Sequence, residues 1–249
     1  MSRRTLTLAT VVLALTAWAA EAAGPPFDLA VKKDQFFGAS RGTLVFAEDA
    51  VEYKTNDKND ARRWTYLKIK QVQVRSPRRI DILTYEDQGR MRLGADRTFE
   101  FELTQGAIGP DLIAFLLERI ERPVVTAVMP PLPSDPLFRV PVKHQRQGRG
   151  SEGTLVLYGD RLVYLTERDD DARHWWFADI FSVLRLDRDR FEVLAYEGGG
   201  GRMRPFIFEL KSDLPDGFYD ALWQQVNRPT LRGPRGDKPA AAPAGASRR

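Results

Sequence analysis

The chain has 249 residues, and its apolar content of 43% and charged content of 29% are those of an ordinary globular protein. It contains no cysteine, so disulfides, thiolate nucleophiles and cysteine-ligated metal sites are excluded. Two histidines are too few for a histidine-rich metal site. The formal net charge is +4, and segment 230–249 alone carries five basic residues and one aspartate, a balance of +4. Because the excess positive charge lies in this tail, the composition argues against a nucleic-acid interface on a folded domain.

The N-terminus has the pattern of a secretory signal peptide. Arg3-Arg4 precedes an apolar stretch from Leu6 to Ala20, and Ala20 and Ala22 supply the small residues of a cleavage site. The apolar stretch is short for a membrane span of about 20 residues. We predict a signal peptide over 1–22 and an exported protein that is periplasmic or extracellular after cleavage, with an uncleaved anchor as the alternative.

An internal repeat dominates the rest of the chain. Gly42-Thr43-Leu44-Val45 recurs 111 positions later as Gly153-Thr154-Leu155-Val156, and the same offset relates many residues around it. The offset shrinks to 106 where Arg122-Pro123 recurs as Arg228-Pro229. A period of this length suits a whole domain rather than a solenoid unit, so the chain is predicted to be a tandem duplication. The predicted organisation is the signal peptide, a first repeat at 25–123, a proline-rich linker at 124–135, a second repeat at 136–229 and a disordered basic tail at 230–249.

Each repeat is predicted to contain short strands followed by one helix. Val72-x-Val74 alternates apolar with polar residues, the period of a strand with one solvated face. A change of phase between Ile69 and Val72 predicts a bulge or a short turn there. Gly109-Pro110-Asp111 begins the first helix, with proline at its first position. The second helix follows Leu214-Pro215-Asp216, and an Arg-Pro pair ends each helix.

This order of elements resembles the pleckstrin-homology-like (PH-like) fold and looks like the PH and GRAM-type modules of bacterial exported proteins. The resemblance covers about residues 27–123 and 138–229, and includes a tryptophan-bearing strand that leads into Asp179-Ile180 and, in the first repeat, Lys68-Ile69. It implies a mainly β fold with capping helices (α+β). Two tandem bent β-barrels or sandwiches would each be closed by a C-terminal helix. The family binds many kinds of partner, so the resemblance implies a binding module without naming its ligand.

The two histidines and one acidic run are the candidates for catalytic or metal-binding residues. His174 follows the acidic run Asp169–Asp171, which could orient it as a general base. However, the repeat places Arg63 at the position of His174 and Lys33 at that of His144, so half-exposed strand positions are favoured. The acidic run lacks the spacing of a calcium loop, and a solvated hairpin tip is favoured. We predict no catalytic residue, no metal site and no cofactor.

Arginines beside the glycine-rich turns are the candidate ligand-binding residues. Arg90-x-Arg92 recurs as Arg202-x-Arg204, so Arg90, Arg92, Arg202 and Arg204 could form matching rims that bind phosphate or carboxylate bidentately. A solvated strand edge is the alternative for these four residues. The run Gly198 to Gly201 lacks the following helix and lysine of a phosphate-binding loop, and a hairpin turn is favoured.

The sequence as a whole favours a non-enzymatic exported scaffold that recognises a protein or peptide, along a strand edge or between the repeats. Linked copies gain avidity without new chemistry. A module that binds anionic lipid or a membrane surface is the first alternative, and a hydrolase that uses acidic loop residues is the second. No nucleic-acid partner is predicted, and the sequence does not indicate an oligomeric state.

Overall fold

The computed structural model describes residues 25–34, 39–88, 94–146, 150–198 and 202–228. The predicted signal peptide with Ala20 and Ala22, the rim residues Arg90 and Arg92, and the tail at 230–249 lie outside the described residues. None of the helices in these ranges has the length and apolar character needed to cross a membrane.

The first sheet has eight strands in the order β4-β3-β2-β1-β7-β6-β5-β8. A 3₁₀ turn at Tyr66–Lys68 joins β4 to β5, and helix α1 (Pro110–Arg119) lies between β7 and β8 in the chain. All neighbours are antiparallel except β5 and β8, which run parallel. The strands are β1 (Phe27–Asp34), β2 (Ala39–Phe46), β3 (Ala50–Thr55), β4 (Arg62–Thr65), β5 (Ile69–Ser76), β6 (Arg79–Asp87), β7 (Asp96–Leu103) and β8 (Val124–Thr126).

The second sheet has seven strands in the order β12-β11-β10-β9-β15-β14-β13. This order matches that of seven strands of the first sheet, taken from β4 at one end through to β5. A 3₁₀ turn at Phe177–Asp179 joins β12 to β13, and helix α2 (Phe218–Asn227) follows the last strand. The strands are β9 (Phe138–Gln145), β10 (Ser151–Leu157), β11 (Arg161–Thr166), β12 (Arg173–Trp176), β13 (Ile180–Arg185), β14 (Arg190–Ala195) and β15 (Arg204–Leu210).

The fold is mainly β with two helices, as predicted, but the sheets do not close into barrels. Within the described residues, β4 does not pair with β5, and β12 does not pair with β13. The physical reason is the 3₁₀ turn between them, which redirects the chain where a hairpin turn would have paired the two strands. Each sheet therefore has two terminal strands. The outer edge of each terminal strand is either open or covered by another part of the chain.

The core matches the periodicity of the sequence. Trp64 and Trp175 are almost completely buried, as are Tyr53 and Tyr164, so these aromatic positions, which the offset of 111 relates, belong to the cores of both sheets. Helix α1 begins at Pro110 as predicted, and its apolar residues join the first core. The bulge predicted after Ile69 is present as a register shift between β5 and β6.

The segment predicted as a linker begins with β8, which pairs with β5 through three residues and is buried. Beyond β8, Met129 and Leu132 pack against Val156, Tyr158 and Val163 of the second sheet. Strand β8 also lies beside β12. The linker region therefore covers the β5 edge of the first sheet and contacts the second sheet.

Two glutamines of β5 and one tryptophan of β12 connect the sheets further. The side-chain amide of Gln71 donates to the Tyr196 carbonyl at 3.1 Å, and that of Gln73 donates to the Glu197 carbonyl at 3.4 Å. Trp176 packs against the core of the first sheet. The glutamines thus link β5 to the loop after β14, and Trp176 links β12 to the core of the first sheet.

Candidate functional site

A buried polar cluster lies at one end of the second sheet, where β9 ends and β10 begins. The carboxylate of Asp171, in the loop before β12, accepts hydrogen bonds from His144 Nδ1 at 2.9 Å and from the Ser151 hydroxyl. The Ser151 and Tyr164 hydroxyls lie 2.8 Å apart. His144, Ser151 and Asp171 are all buried. The cluster therefore joins three strands and one loop through side-chain hydrogen bonds.

The first sheet contains the same cluster 111 positions earlier. Lys33 forms a buried ion pair with Asp60, and the Tyr53 hydroxyl donates to the Ser40 hydroxyl at 2.9 Å. Lysine in one sheet and histidine in the other thus meet equivalent aspartates. The repeat of a buried polar arrangement in both sheets indicates a structural role, because neither sheet tolerates an unpaired carboxylate there.

Glycines leave room for the tyrosine rings of these clusters. A Cβ atom on Gly153 would lie 2.1 Å from the Leu165 carbonyl oxygen and 2.7 Å from the Tyr164 ring. At Gly42, a Cβ atom would lie 2.2 Å from the carbonyl oxygen of Lys54. The repeated Gly-Thr-Leu-Val sequence therefore reflects a strand that passes close to its neighbour beneath a tyrosine ring.

Next to each cluster, a tryptophan donates to a glutamate. Trp64 Nε1 lies 2.6 Å from Glu86, and Trp175 Nε1 lies 2.5 Å from Glu197. Glu197 also accepts from Arg173 Nε at 3.1 Å. Tyr85-Glu86 recurs as Tyr196-Glu197. The glutamate of each pair satisfies the indole N–H of a core tryptophan, as a buried donor requires.

The electrostatics of the second cluster centre on Asp171. Burial alone raises the pKa of its carboxyl, but hydrogen bonds from His144 and Ser151 and the charge of Arg146, at 3.1 Å, lower it. The net result is a pKa below the usual range for aspartate. Asp171 is therefore an ionised, buried acceptor.

The structure corrects the environments predicted for His144, His174 and Asp171. All three are buried instead of half-exposed or solvated, because His144 and Asp171 bond to each other inside the sheet. His174 Nε2 lies 3.3 Å from a guanidinium nitrogen of Arg161. The Ser151 hydroxyl meets Asp171 and Tyr164, an arrangement that does not place an imidazole base on a serine nucleophile.

The predicted arginine rim is only partly brought together. Arg204 lies over the Phe206 ring with its guanidinium carbon 5.0 Å from the ring centroid, and Arg202 is exposed. The equivalent residue in the first sheet is Arg97, 4.8 Å above Phe99, and not Arg92. The reason is the change of offset beyond the glycine-rich turns, which aligns the β7 and β15 positions at 107.

The two stacked arginines carry unused hydrogen-bonding capacity. No side-chain hydrogen bond joins Arg97 or Arg204 to another residue in the described part of the chain. Burial lowers the pKa of the Arg204 guanidinium, and the nearby charge of Arg173 lowers it further. Each sheet therefore presents a cation, oriented by an aromatic ring, whose N–H groups can donate hydrogen bonds to an anion.

The second candidate site is the open edge of β13, which sequence reasoning missed. In the described ranges no strand pairs with the outer side of β13, whereas β8 covers β5. Four large apolar side chains near this strand expose between 42% and 50% of their surface: Phe181 and Leu184 of β13, Leu186 just after it, and Trp223 of α2. The Tyr219 hydroxyl donates to the Val183 carbonyl at 3.5 Å, a long contact on this edge.

The repeat offset contains the signal for this surface. Lys70, Gln73 and Arg75 of the first sheet occupy the positions that Phe181, Leu184 and Leu186 occupy in the second. Three polar residues are thus replaced by three large apolar ones on exposed positions.

No group of histidine, aspartate and glutamate side chains in the described ranges is arranged to hold a metal ion.

Comparison with known proteins adds no family. No family model matches the chain, and no curated protein matches it. Similar solved structures include the C-terminal domain of an unknown protein from Leishmania infantum, at 13% identity over 37% of this chain and 84% of that one, with a TM-score of 0.30. The Spt16D Pob3N heterodimer is 10% identical over 74% of this chain and 98% of that one, with a TM-score of 0.23. The Bacillus subtilis inhibitor of motility MotI/DgrA is 6% identical over 84% and 98%, with a TM-score of 0.15. At these TM-scores the likenesses carry no argument about function.

Proposed function

We propose that this chain is an exported, non-enzymatic scaffold of two tandem PH-like units, and that the edge of β13 binds an extended segment of a protein partner. The repeated strand order of the two sheets and the offset near 111 support the tandem arrangement. The apolar side chains that replace polar ones along β13 carry the proposal for the binding site.

An open strand edge offers unpaired backbone N–H and C=O groups, which an extended peptide can satisfy by adding a strand. In the first sheet, β8 occupies the equivalent edge and shows which kind of segment fits: three residues, Val-Val-Thr, without charge. At β13 the neighbouring Phe181, Leu184 and Trp223 provide apolar area for the side chains of such a segment. Exposed apolar surface beside an open edge is typical of a binding groove.

The other terminal edge differs in its chemistry. Beside β4, Arg63 forms ion pairs with Asp49 at 2.6 Å and with Glu52 at 2.9 Å. Charged side chains of this kind protect an edge strand from pairing. The contrast between these two edges supports β13 over β4 as the edge that binds the partner.

The test uses a synthetic peptide that copies residues 122–128, which contain β8, as the probe. Binding to the chain that begins at Pro25 is followed by calorimetry, with a Val125→Pro peptide as the control that cannot pair. The Leu184→Lys variant should weaken binding about fivefold, since losing half the burial of a leucine removes about 1 kcal/mol. Leu67→Lys changes an equally apolar but more exposed residue far from β13 and should leave the affinity unchanged. Equal binding of both peptides would refute the site.

A second candidate function is binding to an anionic membrane surface, which the stacked Arg97 and Arg204 favour. Co-sedimentation with phosphatidylserine vesicles should exceed that with phosphatidylcholine vesicles and should fall as salt rises. Arg204→Gln should reduce it, while Arg188→Gln, an exposed arginine outside the clusters, should have a smaller effect. Sedimentation that is independent of lipid charge would exclude this function.

A further inference from the structure

Helix α2 is the last described element of the chain and lies against the open edge strand of the second sheet. It packs on β13, ends at Asn227, and the described chain ends at Arg228. The sequence continues to Arg249, so 21 further residues follow a helix that packs on β13. The chain itself thus supplies a segment within reach of β13.

The first sheet shows where the chain goes after the equivalent helix. Helix α1 is followed by Arg122-Pro123 and then by β8, which runs parallel to β5 with Val125 opposite Gln73. The pairing is completed when the Ala127 N–H donates to the Val74 carbonyl at 2.9 Å. A helix, an Arg-Pro pair and a covering strand therefore form one consecutive unit.

A similar unit begins after α2, although Arg228 follows Asn227 directly and two residues separate Arg119 from Arg122 in the first repeat. Arg228-Pro229 stands 106 positions after Arg122-Pro123, so Thr230, Leu231 and Arg232 correspond to Val124, Val125 and Thr126 of β8. On the sheet side, Val183, Leu184 and Arg185 correspond to the three β5 residues that pair with β8.

Thr230 and Leu231 fit this register, whereas Arg232 would lie opposite Arg185. Thr230 is β-branched like Val124, and Leu231 is apolar like Val125, so both suit an extended strand. Leu231 would pair with Leu184, whose side chain is exposed. Proline at 229 cannot extend the helix and favours an extended chain around it.

We propose that residues 230–232 add to β13 as a parallel strand, with Leu231 opposite Leu184, and so act as an internal competitor for the partner site. The strand pairing stands on the internal template alone, whereas the competition rests on the proposed function. A second copy of the chain is a poorer occupant, because its free β4 edge carries the ion pairs of Arg63.

The absence of cysteine makes the register directly testable. The double variant Leu184→Cys/Leu231→Cys places two thiols on paired positions, where a disulfide forms readily if the Cα atoms lie within about 7 Å. Gln73→Cys/Val125→Cys in the first sheet is the positive control, since β5 and β8 are paired there. Leu184→Cys/Ala244→Cys is the mismatched control, with the second thiol thirteen residues further along the tail.

The expected result is an intramolecular disulfide that forms at least about tenfold faster in the matched pair than in the mismatched pair, measured on non-reducing gels and by mass spectrometry. Equal rates would overturn the proposed pairing, because an unpaired tail brings both thiols to β13 at similar rates. Disulfide-linked dimers in place of monomers would overturn it as well and would identify a second copy as the source of the strand.

Competition is measured separately, with the chain that ends at Pro229. If the tail occupies β13 in nine molecules of ten, its removal should raise the affinity for the 122–128 peptide about tenfold. A fast matched disulfide combined with unchanged peptide affinity would keep the strand pairing and overturn β13 as the partner site. A slow disulfide with an unchanged affinity would overturn the tail proposal and leave the partner site intact.

Discussion

Replacing Asp171 by asparagine tests whether the duplicated polar clusters stabilise the fold. The substitution keeps the shape of the side chain but puts an N–H₂ group among donors from His144, Ser151 and Arg146. A hydrogen bond to a charged group contributes about 1.5–3 kcal/mol, and breaking a buried pair costs about 3–5 kcal/mol. We therefore expect a loss of about 3 kcal/mol in the free energy of unfolding, measured by urea denaturation.

The matched control is Asp170→Asn at the neighbouring position. Asp170 is exposed and meets Arg146 and Arg168 only at 3.4 Å, so its replacement should cost less than about 0.5 kcal/mol. A loss under about 1 kcal/mol for Asp171→Asn, or equal losses for both variants, would refute the reasoning, since a buried ionised acceptor must cost more than an exposed one.

The same variant predicts a pH dependence. The pKa of Asp171 is lower in the folded chain than in the unfolded chain, so its contribution to stability is complete above the usual aspartate pKa of about 4. That contribution is lost as the pH falls through the lowered folded pKa. The difference in unfolding free energy between the original chain and Asp171→Asn should therefore be constant near pH 6 and shrink below about pH 4. A difference that is unchanged at low pH would contradict the assignment of Asp171 as ionised.

Two further substitutions test the packing of the second sheet. Gly153→Ala should destabilise the chain by about 2–3 kcal/mol in urea denaturation, because the added methyl would collide with the Leu165 carbonyl, while Gly159→Ala, with open space around it, should not. Trp175→Phe should cost about 3 kcal/mol, since it removes the indole N–H that satisfies Glu197, whereas Trp223→Phe, at an exposed position, should cost under about 0.5 kcal/mol. If both members of either pair behave alike, the corresponding contact does not stabilise the fold.

Much of the fold could be predicted because the chain contains its own comparison. The recurrence of Gly42 at Gly153 and of Trp64 at Trp175 identified shared core positions, and apolar spacing after Pro110 identified a helix. Period and turn chemistry act locally, so they are readable from one sequence. The closure of a barrel depends on the angle between strands distant in space, and the periodicity of the strands does not contain that angle.

The candidate sites were harder to predict. His144 and Asp171 are polar residues in or beside a loop, and their burial depends on partners that approach from other strands. The repeat aligned Lys33 with His144, but it did not show that each of them meets an aspartate from a distant loop. Strand β8 was hidden by the prolines that follow it, which suggested a spacer where the first residues in fact complete the first sheet.

The exposed surface of β13 was readable in principle. Aligned by the repeat, Phe181 and Leu184 replace Lys70 and Gln73, but apolar residues in a strand normally indicate the core. Only the coordinates show that these side chains point outward beside an edge without a covering strand. The site thus followed from comparing two sheets of one molecule.

The central claim is that the β13 edge takes up an extended strand, and amide hydrogen exchange of β13 tests it most directly. The chain ending at Pro229 is compared with and without saturating 122–128 peptide, and the amide of Val183, whose carbonyl faces Tyr219 on the open side, is followed. The account predicts that the peptide slows exchange at Val183 about tenfold or more, with little change along β4. Unchanged exchange at Val183, in a sample where the peptide is bound, would contradict it.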